Sequence, residues 1–306
     1  MLNLNDISQD NRFRNSGRNI DLPSMSTQQA QAEAHRLLVN KLQPSLDRAV
    51  NYLSVGGVLA AYQMGVSPRT LRRYRDLRVI DRLPQATPDL VEMFKSYGLP
   101  LPVKNNQIQF FTLGPVGIEI SKMRYGHNPP SGYLGYTLER IMHDIVLNEI
   151  VLRIAQEAIT YGWAPIWISE GEATLYQDNR QILKPDAMLR LKKDDDEKVF
   201  LFEYHNEDKS TRAVDKVQRY ERAAAKKEIW SKAWEVETFP PVLAAFRHSI
   251  VGTGYQESTS DRETARCKFY GRTLRTVLED TGQWFNFASH AKEFVWPWAK
   301  VDGQVA

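Results

Sequence analysis

The residues with the clearest chemical potential are Lys184-Pro185-Asp186 and, seventeen positions after the Asp, Glu203 in Phe200-Leu201-Phe202-Glu203-Tyr204-His205. Leu183 to Leu191 and Val199 to His205 read as strands, rich in β-branched and long apolar residues and separated by the charged turn Lys192 to Lys198. An Asp opening one strand and a Glu closing its antiparallel neighbour come side by side. Two such carboxylates repel, and a divalent cation relieves the repulsion. Mg²⁺ (or Mn²⁺) takes carboxylate oxygens, keeps water in its shell, polarises a phosphodiester and lowers the pKa of the attacking water. A plainer reading stands beside this one: Asp186 caps a turn after proline, and Glu203 is salt-bridged at a strand end.

A second constellation is Met64-Gly65-Val66-Ser67-Pro68-Arg69-Thr70-Leu71. Gly65 permits a turn with positive φ, Ser67 is a natural N-cap, and Pro68 fits the first helical position, where its missing N–H costs nothing. The helix that follows carries Arg69, Arg72, Arg73, Arg75 and Arg78, with Leu71, Tyr74, Leu77 and Val79 turned inward. The pattern is helical from about Thr27 to Met64. A helix, a tight turn and a capped Arg-rich helix form the signature of a helix-turn-helix, and arginines at this density neutralise phosphates and pair bidentately with guanine. Thr70 joins the five arginines as a candidate DNA contact. Gln107 to Leu113 alternates as a strand where a wing would sit, broken by Gly114 and Gly117, so the module is read as a winged helix. Such modules also serve as protein-interaction surfaces.

Composition agrees with a soluble protein of two domains: 306 residues, 42% hydrophobic and 25% charged. Between His35 and Gly126 stand thirteen Lys/Arg against six Asp/Glu, while the whole chain carries only +3. The basic segment points to a polyanion partner. One cysteine, Cys267, excludes an internal disulfide framework and a cysteine-based zinc cage. Without a long apolar run or a signal-peptide core, the expected location is the cytoplasm. No glycine-rich phosphate loop appears, so neither ATP nor a dinucleotide is expected.

Residues 1–27 read as a polar arm whose Arg12, Arg14 and Arg18 either touch phosphate or stay solvated. The winged helix-turn-helix occupies 28–126. Arg82 to Lys104 reads as a loop, and the Pro/Gly-rich stretch 126–135 as the boundary. An α/β domain with a mixed sheet occupies 136–300: a long apolar helix Leu138 to Ile159, strands Trp163 to Ile168 and Glu172 to Tyr176, the strand pair above, a helix Ser210 to Lys227, a buried strand Val242 to Phe246, and a last amphipathic helix Arg262 to Asp280. His143, Asp144, Asn148 and Glu149 interrupt the long helix and must find partners, since burying one unpaired costs about 1–3 kcal/mol. Trp296-Pro297-Trp298 is expected to dock on the core.

Pro185-Asp186 followed by Glu203-x-His205 resembles the PD-(D/E)xK superfamily of metal-dependent nucleases. More narrowly, the chain is similar to the replication-relaxation proteins of plasmids and related mobile elements. The matching features are the winged helix, Phe111-Thr112-Leu113-Gly114 through Gly117, His143 to Asn148, Lys184-Pro185-Asp186-Ala187, Phe202-Glu203, and Thr211, Lys216 and Tyr220. The resemblance implies a restriction-endonuclease-like domain and a role in plasmid replication or mobilisation. It also implies site roles: Asp186 and Glu203 for the metal, and Glu149 as an extra helix acid unless it belongs to a structural network. The nuclease lysine would stand at position 205, where this chain has histidine. Either His205 takes the proton of water, its ordinary pKa of about 6.5 suiting that task, or Lys216 reaches in from the next helix to stabilise developing charge. Three functions follow: a Mg²⁺-dependent endonuclease acting on double-stranded DNA, a non-catalytic DNA-binding accessory factor with the same fold, or an adaptor without a DNA role. Replication or mobilisation proteins are possible partners in each.

Overall fold

A computed structural model describes residues 25–83, 90–101, 108–130, 132–259 and 266–298. Most of the polar arm, with Arg12, Arg14 and Arg18, lies outside these residues. The protein is mixed α/β and divides into two compact units, Met1–Glu149 and Ile150–Ala306. Among the described residues no helix is long and apolar enough to cross a membrane.

The first unit begins with α1 (Thr27–Val39), whose N-cap Ser26 forms a reciprocal capping box with Gln29, and α2 (Pro44–Gly56). The continuous helical stretch expected from Thr27 to Met64 is therefore broken twice. At Gly57 the chain takes φ +71°, and Val58–Ala60 becomes a strand, β1. Its three residues are all buried, and so short an apolar run has no period that separates strand from helix. After the turn at Gly65 come α3 (Pro68–Asp76), β2 (Ile80–Arg82), α4 (Leu90–Tyr97), β3 (Phe110–Leu113) and α5 (Pro115–Tyr125). Helix α4 stands inside the segment expected to be a loop, and α5 begins directly after Gly114. The strands form an antiparallel sheet in the order β1-β3-β2.

Close approach explains the two glycines beside β3. A Cβ at Gly117 would lie 2.1 Å from the carbonyl oxygen of Val79, and one at Gly114 would lie 2.5 Å from that of Arg78. Those carbonyls accept from Gly114 N (2.9 Å) and Val116 N (3.0 Å), tying the start of α5 to the chain leaving α3. The division between the units falls inside α6 (Leu138–Thr160), after Glu149. Asp144 and Asn148, in its first half, are satisfied within the first unit. Asn148 donates to the carbonyls of Gly56 (2.9 Å) and Val58 (2.6 Å), and Asp144 accepts from Tyr133 Oη (2.9 Å) and lies 3.0 Å from His143 Nδ1.

The second unit carries a seven-stranded mixed sheet. In chain order its elements are β4 (Ala164–Ile168), α7 (Glu170–Ala173), the hairpin β5 (Leu175–Gln177) and β6 (Arg180–Leu183), β7 (Ala187–Lys193), β8 (Asp196–His205), α8 (Thr211–Ala224), α9 (Lys227–Trp234), β9 (Val242–Phe246), α10 (Ser249–Thr259), β10 (Phe269–Thr273), α11 (Leu274–Glu279), β11 (Gln283–Asn286) and β12 (Ala291–Phe294). The spatial order is β12-β11-β10-β9-β8-β7-β4, with β5 and β6 forming a separate ribbon. Strands β8, β9 and β10 run parallel and the remaining neighbours antiparallel. The expected strand Leu183 to Leu191 is split at Lys184–Asp186, and the expected helix from Arg262 to Asp280 contains β10 and the short α11. Strand β8 is buried on both faces from Val199 onward, which is why it reads as an apolar run instead of an alternation. Leu201 joins Val217 and Tyr220 of α8 and Tyr255 of α10 in one core, while Phe200 meets Trp296. Trp296 and Trp298 are buried and donate to Thr281 O and Glu157 Oε1, so the C-terminal tryptophans dock on this unit's core.

Candidate active site

The β7–β8 hairpin turns over two residues, Asp194 and Asp195, with Asp194 at φ +51°. Its register pairs Ala187 with Phe202, and the ladder continues one step to Asp186, whose N–H donates to Phe202 O (3.1 Å). Asp186 thus lies across from Glu203. One carboxylate oxygen, Oδ2, accepts from the backbone N–H of Tyr204 (2.9 Å), which fixes the side chain at the end of the ladder. The bond runs across the ladder to a residue eighteen positions away, so it is not the local turn cap that the plainer reading expected.

Helix α8 closes the site. Spaced four residues apart, Lys216 and Tyr220 share a helix face and both reach Glu203. Lys216 Nζ donates to Glu203 Oε2 and lies 3.7 Å from Asp186 Oδ1, and Tyr220 Oη donates to Glu203 Oε1 (2.6 Å). Sequence reasoning had Tyr220 only as part of a pattern, yet its spacing from Lys216 already placed it on the same face. Glu203 is fully enclosed, whereas a quarter of the Lys216 side chain reaches solvent.

Electrostatics follow from this geometry. Burial, reinforced by the charge of Asp186, raises the Glu203 carboxyl to about 8, with Lys216 and Tyr220 opposing the shift. Lys216 is also pushed upward: the two carboxylates outweigh the burial that disfavours its charge. The two shifts describe one cluster. A single ammonium faces two carboxylates, and burial weighs against the charged form of Glu203. Because Glu203 is raised relative to its ordinary 4.5, its contribution to stability is complete below that value and is lost as pH climbs through about 8. Lys216, raised as well, contributes undiminished across this range. The urea midpoint of the second unit should therefore fall between pH 5 and pH 8, and Glu203→Gln, which mimics the protonated carboxyl, should flatten that decline. An equally steep decline in the variant would place the titration elsewhere.

The other expected site residues are located differently. His205 is 2% exposed, with Nε2 2.8 Å from Tyr255 Oη and Nδ1 3.6 Å from Glu207. It shares the strand face of Glu203 but is held by α10, not by the acid pair. Glu149, expected as a third acid, accepts from Gln63 Nε2 (3.1 Å) within the first unit, so its described partner is not one of the acid pair. Among the described residues no group of three or more His, Cys, Asp or Glu forms a metal-ligand set. The trio offers two carboxylates converging on one cationic centre. Paired carboxylates are the donor type that Mg²⁺ takes, but both oxygens of the enclosed Glu203 are engaged here by Lys216 and Tyr220.

In the first unit, Ser67 Oγ accepts from Thr70 N (3.2 Å) and lies 2.9 Å from Thr70 Oγ1, so Thr70 belongs to the cap of α3. Leu71 and Tyr74 are buried and Arg69, Arg72 and Arg73 exposed, with Arg75 about one-third exposed. Arg78 stands past the helix at φ +58°, largely buried, its Nε 3.6 Å from Asp81 Oδ1. It is set apart from the exposed arginines. Comparison of the chain with family models, with curated proteins and with solved structures finds no match.

Proposed function

We propose that the protein processes DNA: the first unit is a winged helix that binds duplex DNA through α3, and the second is a PD-(D/E)xK-like nuclease domain that hydrolyses a phosphodiester with a divalent cation. The observation that carries the cleavage half is the convergence of Asp186, Glu203 and Lys216. Asp186 and Glu203 would hold Mg²⁺ or Mn²⁺, which supplies polarisation of the phosphodiester and an activated water. Asp186 is oriented by the Tyr204 N–H and Glu203 by Tyr220. Lys216, partly open to solvent, is placed to stabilise negative charge on phosphate oxygens. The resemblance to replication-relaxation proteins supports a role for this activity in plasmid or mobile-element replication or mobilisation. The experiment is nicking of a supercoiled plasmid with and without the divalent ion.

For the DNA-binding half, the order β1-β3-β2 beside an Arg-rich, N-capped helix supports the winged-helix reading. Arg72→Ala with Arg73→Ala should weaken duplex binding roughly tenfold or more and lower the salt slope by about 1.8, close to 0.9 for each phosphate no longer neutralised. A gel-shift titration over a salt series measures both. Unchanged affinity and slope would remove α3 as the DNA-binding element.

A second reading, a DNA-binding accessory factor that keeps the fold without cleavage, is favoured by one specific feature. Position 205 carries a histidine engaged by Tyr255 where the superfamily pattern puts its lysine.

A further inference from the structure

Lys216 also belongs to the wall of a second feature. Between β6 and α8 lies an open cleft of about 520 Å³, and its lining includes Lys184, Lys216, Arg219, Arg222 and Lys226 without a carboxylate. Arg219 and Arg222 are exposed and form no ion pair among the described residues, Arg222 donating only to the carbonyl of Gln218 one turn back. Lys226 donates to the amide of Gln177 on the β5–β6 hairpin, and Lys184 pairs with Glu170 at 2.9 Å. The cleft is therefore lined by cations, and one of them, Lys216, also meets the acid pair.

Lys216, Arg219 and Arg222, three residues apart along one face of α8, with Lys226 just past its end, present regularly spaced charge, which suits a regularly spaced polyanion. Size narrows the ligand. The volume lies within the range of pockets that enclose small ligands, about 300–1,000 Å³, and it accommodates nucleotide units of one strand. We propose that this cleft seats the sugar–phosphate backbone of a single DNA strand. Arg219, Arg222 and Lys226 meet phosphates along it, and Lys216 marks the end at which a phosphodiester reaches Asp186 and Glu203. The inference rests on the nuclease reading for its direction, but the strand-binding cleft can be tested without cleavage.

The test is fluorescence anisotropy with a labelled single-stranded oligodeoxynucleotide, a matching blunt duplex and a poly-glutamate competitor. It uses the full-length chain in EDTA across a salt series, for the wild type, Arg219→Ala/Arg222→Ala and the charge reversal Arg219→Glu/Arg222→Glu. Both residues are exposed, and unchanged far-UV circular dichroism verifies the fold. The expected result is a tenfold or greater loss of single-strand affinity in the alanine pair, with a salt slope smaller by about 1.4, near 0.7 per neutralised phosphate on single strands. The reversal loses more, and duplex binding changes less. An unchanged single-strand slope, or displacement of the oligonucleotide by poly-glutamate at equal charge concentration, overturns the cleft. Plasmid nicking in Mg²⁺ by the same proteins separates the two ideas. A reduced slope without wild-type nicking keeps the cleft and removes the nuclease; nicking with an unchanged slope keeps the nuclease and removes the cleft.

Discussion

Lys216→Met should reduce divalent-dependent nicking by about 10²–10³-fold, the usual cost of removing one charge-stabilising donor, and should destabilise the second unit in a pH-dependent way. Methionine keeps the apolar stem and removes the ammonium that Glu203 and Asp186 share. Removing one partner of a fully buried ion pair costs about 3–5 kcal/mol because the remaining charge is left uncompensated. Part of the Lys216 side chain reaches solvent, so about 2–3 kcal/mol is the expected loss at pH 8. At pH 5.5 Glu203 already carries a proton, and the loss should be clearly smaller. All seven tryptophans lie between Trp163 and Trp298, in the second unit, so urea titration followed by their fluorescence reads this unit alone. Equal losses at both pH values would mean that Lys216 contributes through packing and not through charge. Undiminished nicking would remove it from the chemistry.

Gly117→Ala should cost the first unit about 3 kcal/mol, at the upper end of ordinary overpacking. The new Cβ would sit 2.1 Å from Val79 O and 2.9 Å from a methyl of Leu113. Val79 O cannot simply withdraw, because it accepts from Gly114 N. Relief therefore requires α5 to move away from the chain that leaves α3, and the presentation of the arginines moves with it. Far-UV circular dichroism should show an earlier unfolding component while tryptophan fluorescence is unshifted, since the first unit has no tryptophan. Gly171→Ala is the control, for its Cβ would meet nothing nearer than Ser169 Oγ at 4.0 Å. Coincident, unshifted transitions in Gly117→Ala would show that the close approach relaxes without cost.

Local rules made much of the candidate site readable. Two apolar runs across a charged turn give a hairpin, and its register puts Asp186 across from Glu203. The four-residue spacing of Lys216 and Tyr220 puts both on one helix face, but that this face meets Glu203 is tertiary information. The N-terminal turn of α3 was equally local: Ser67 and Pro68 act at the positions their chemistry favours. Failures gathered where local preference gives no signal or the opposite one. Strand β1 is three buried residues long. Helix α10 contains Gly252 and Gly254, poor helix formers whose missing side chains admit the Phe246 ring and the Ser210 carbonyl. In β10, Gly271 is needed because the Phe287 ring lies where its Cβ would be, a reason invisible before Phe287 is placed. The pairing of Glu149 with Gln63, 86 residues earlier, is likewise a long-range interaction that no spacing announces.

The most direct measurement is supercoiled-plasmid nicking by the purified full-length chain in Mg²⁺ and in Mn²⁺, beside Asp186→Asn and Glu203→Gln, with binding to the same plasmid followed in parallel. The account predicts nicking that requires the divalent ion and is abolished by either substitution while DNA binding is retained. Binding without nicking in either ion, or nicking that survives both substitutions, would contradict it.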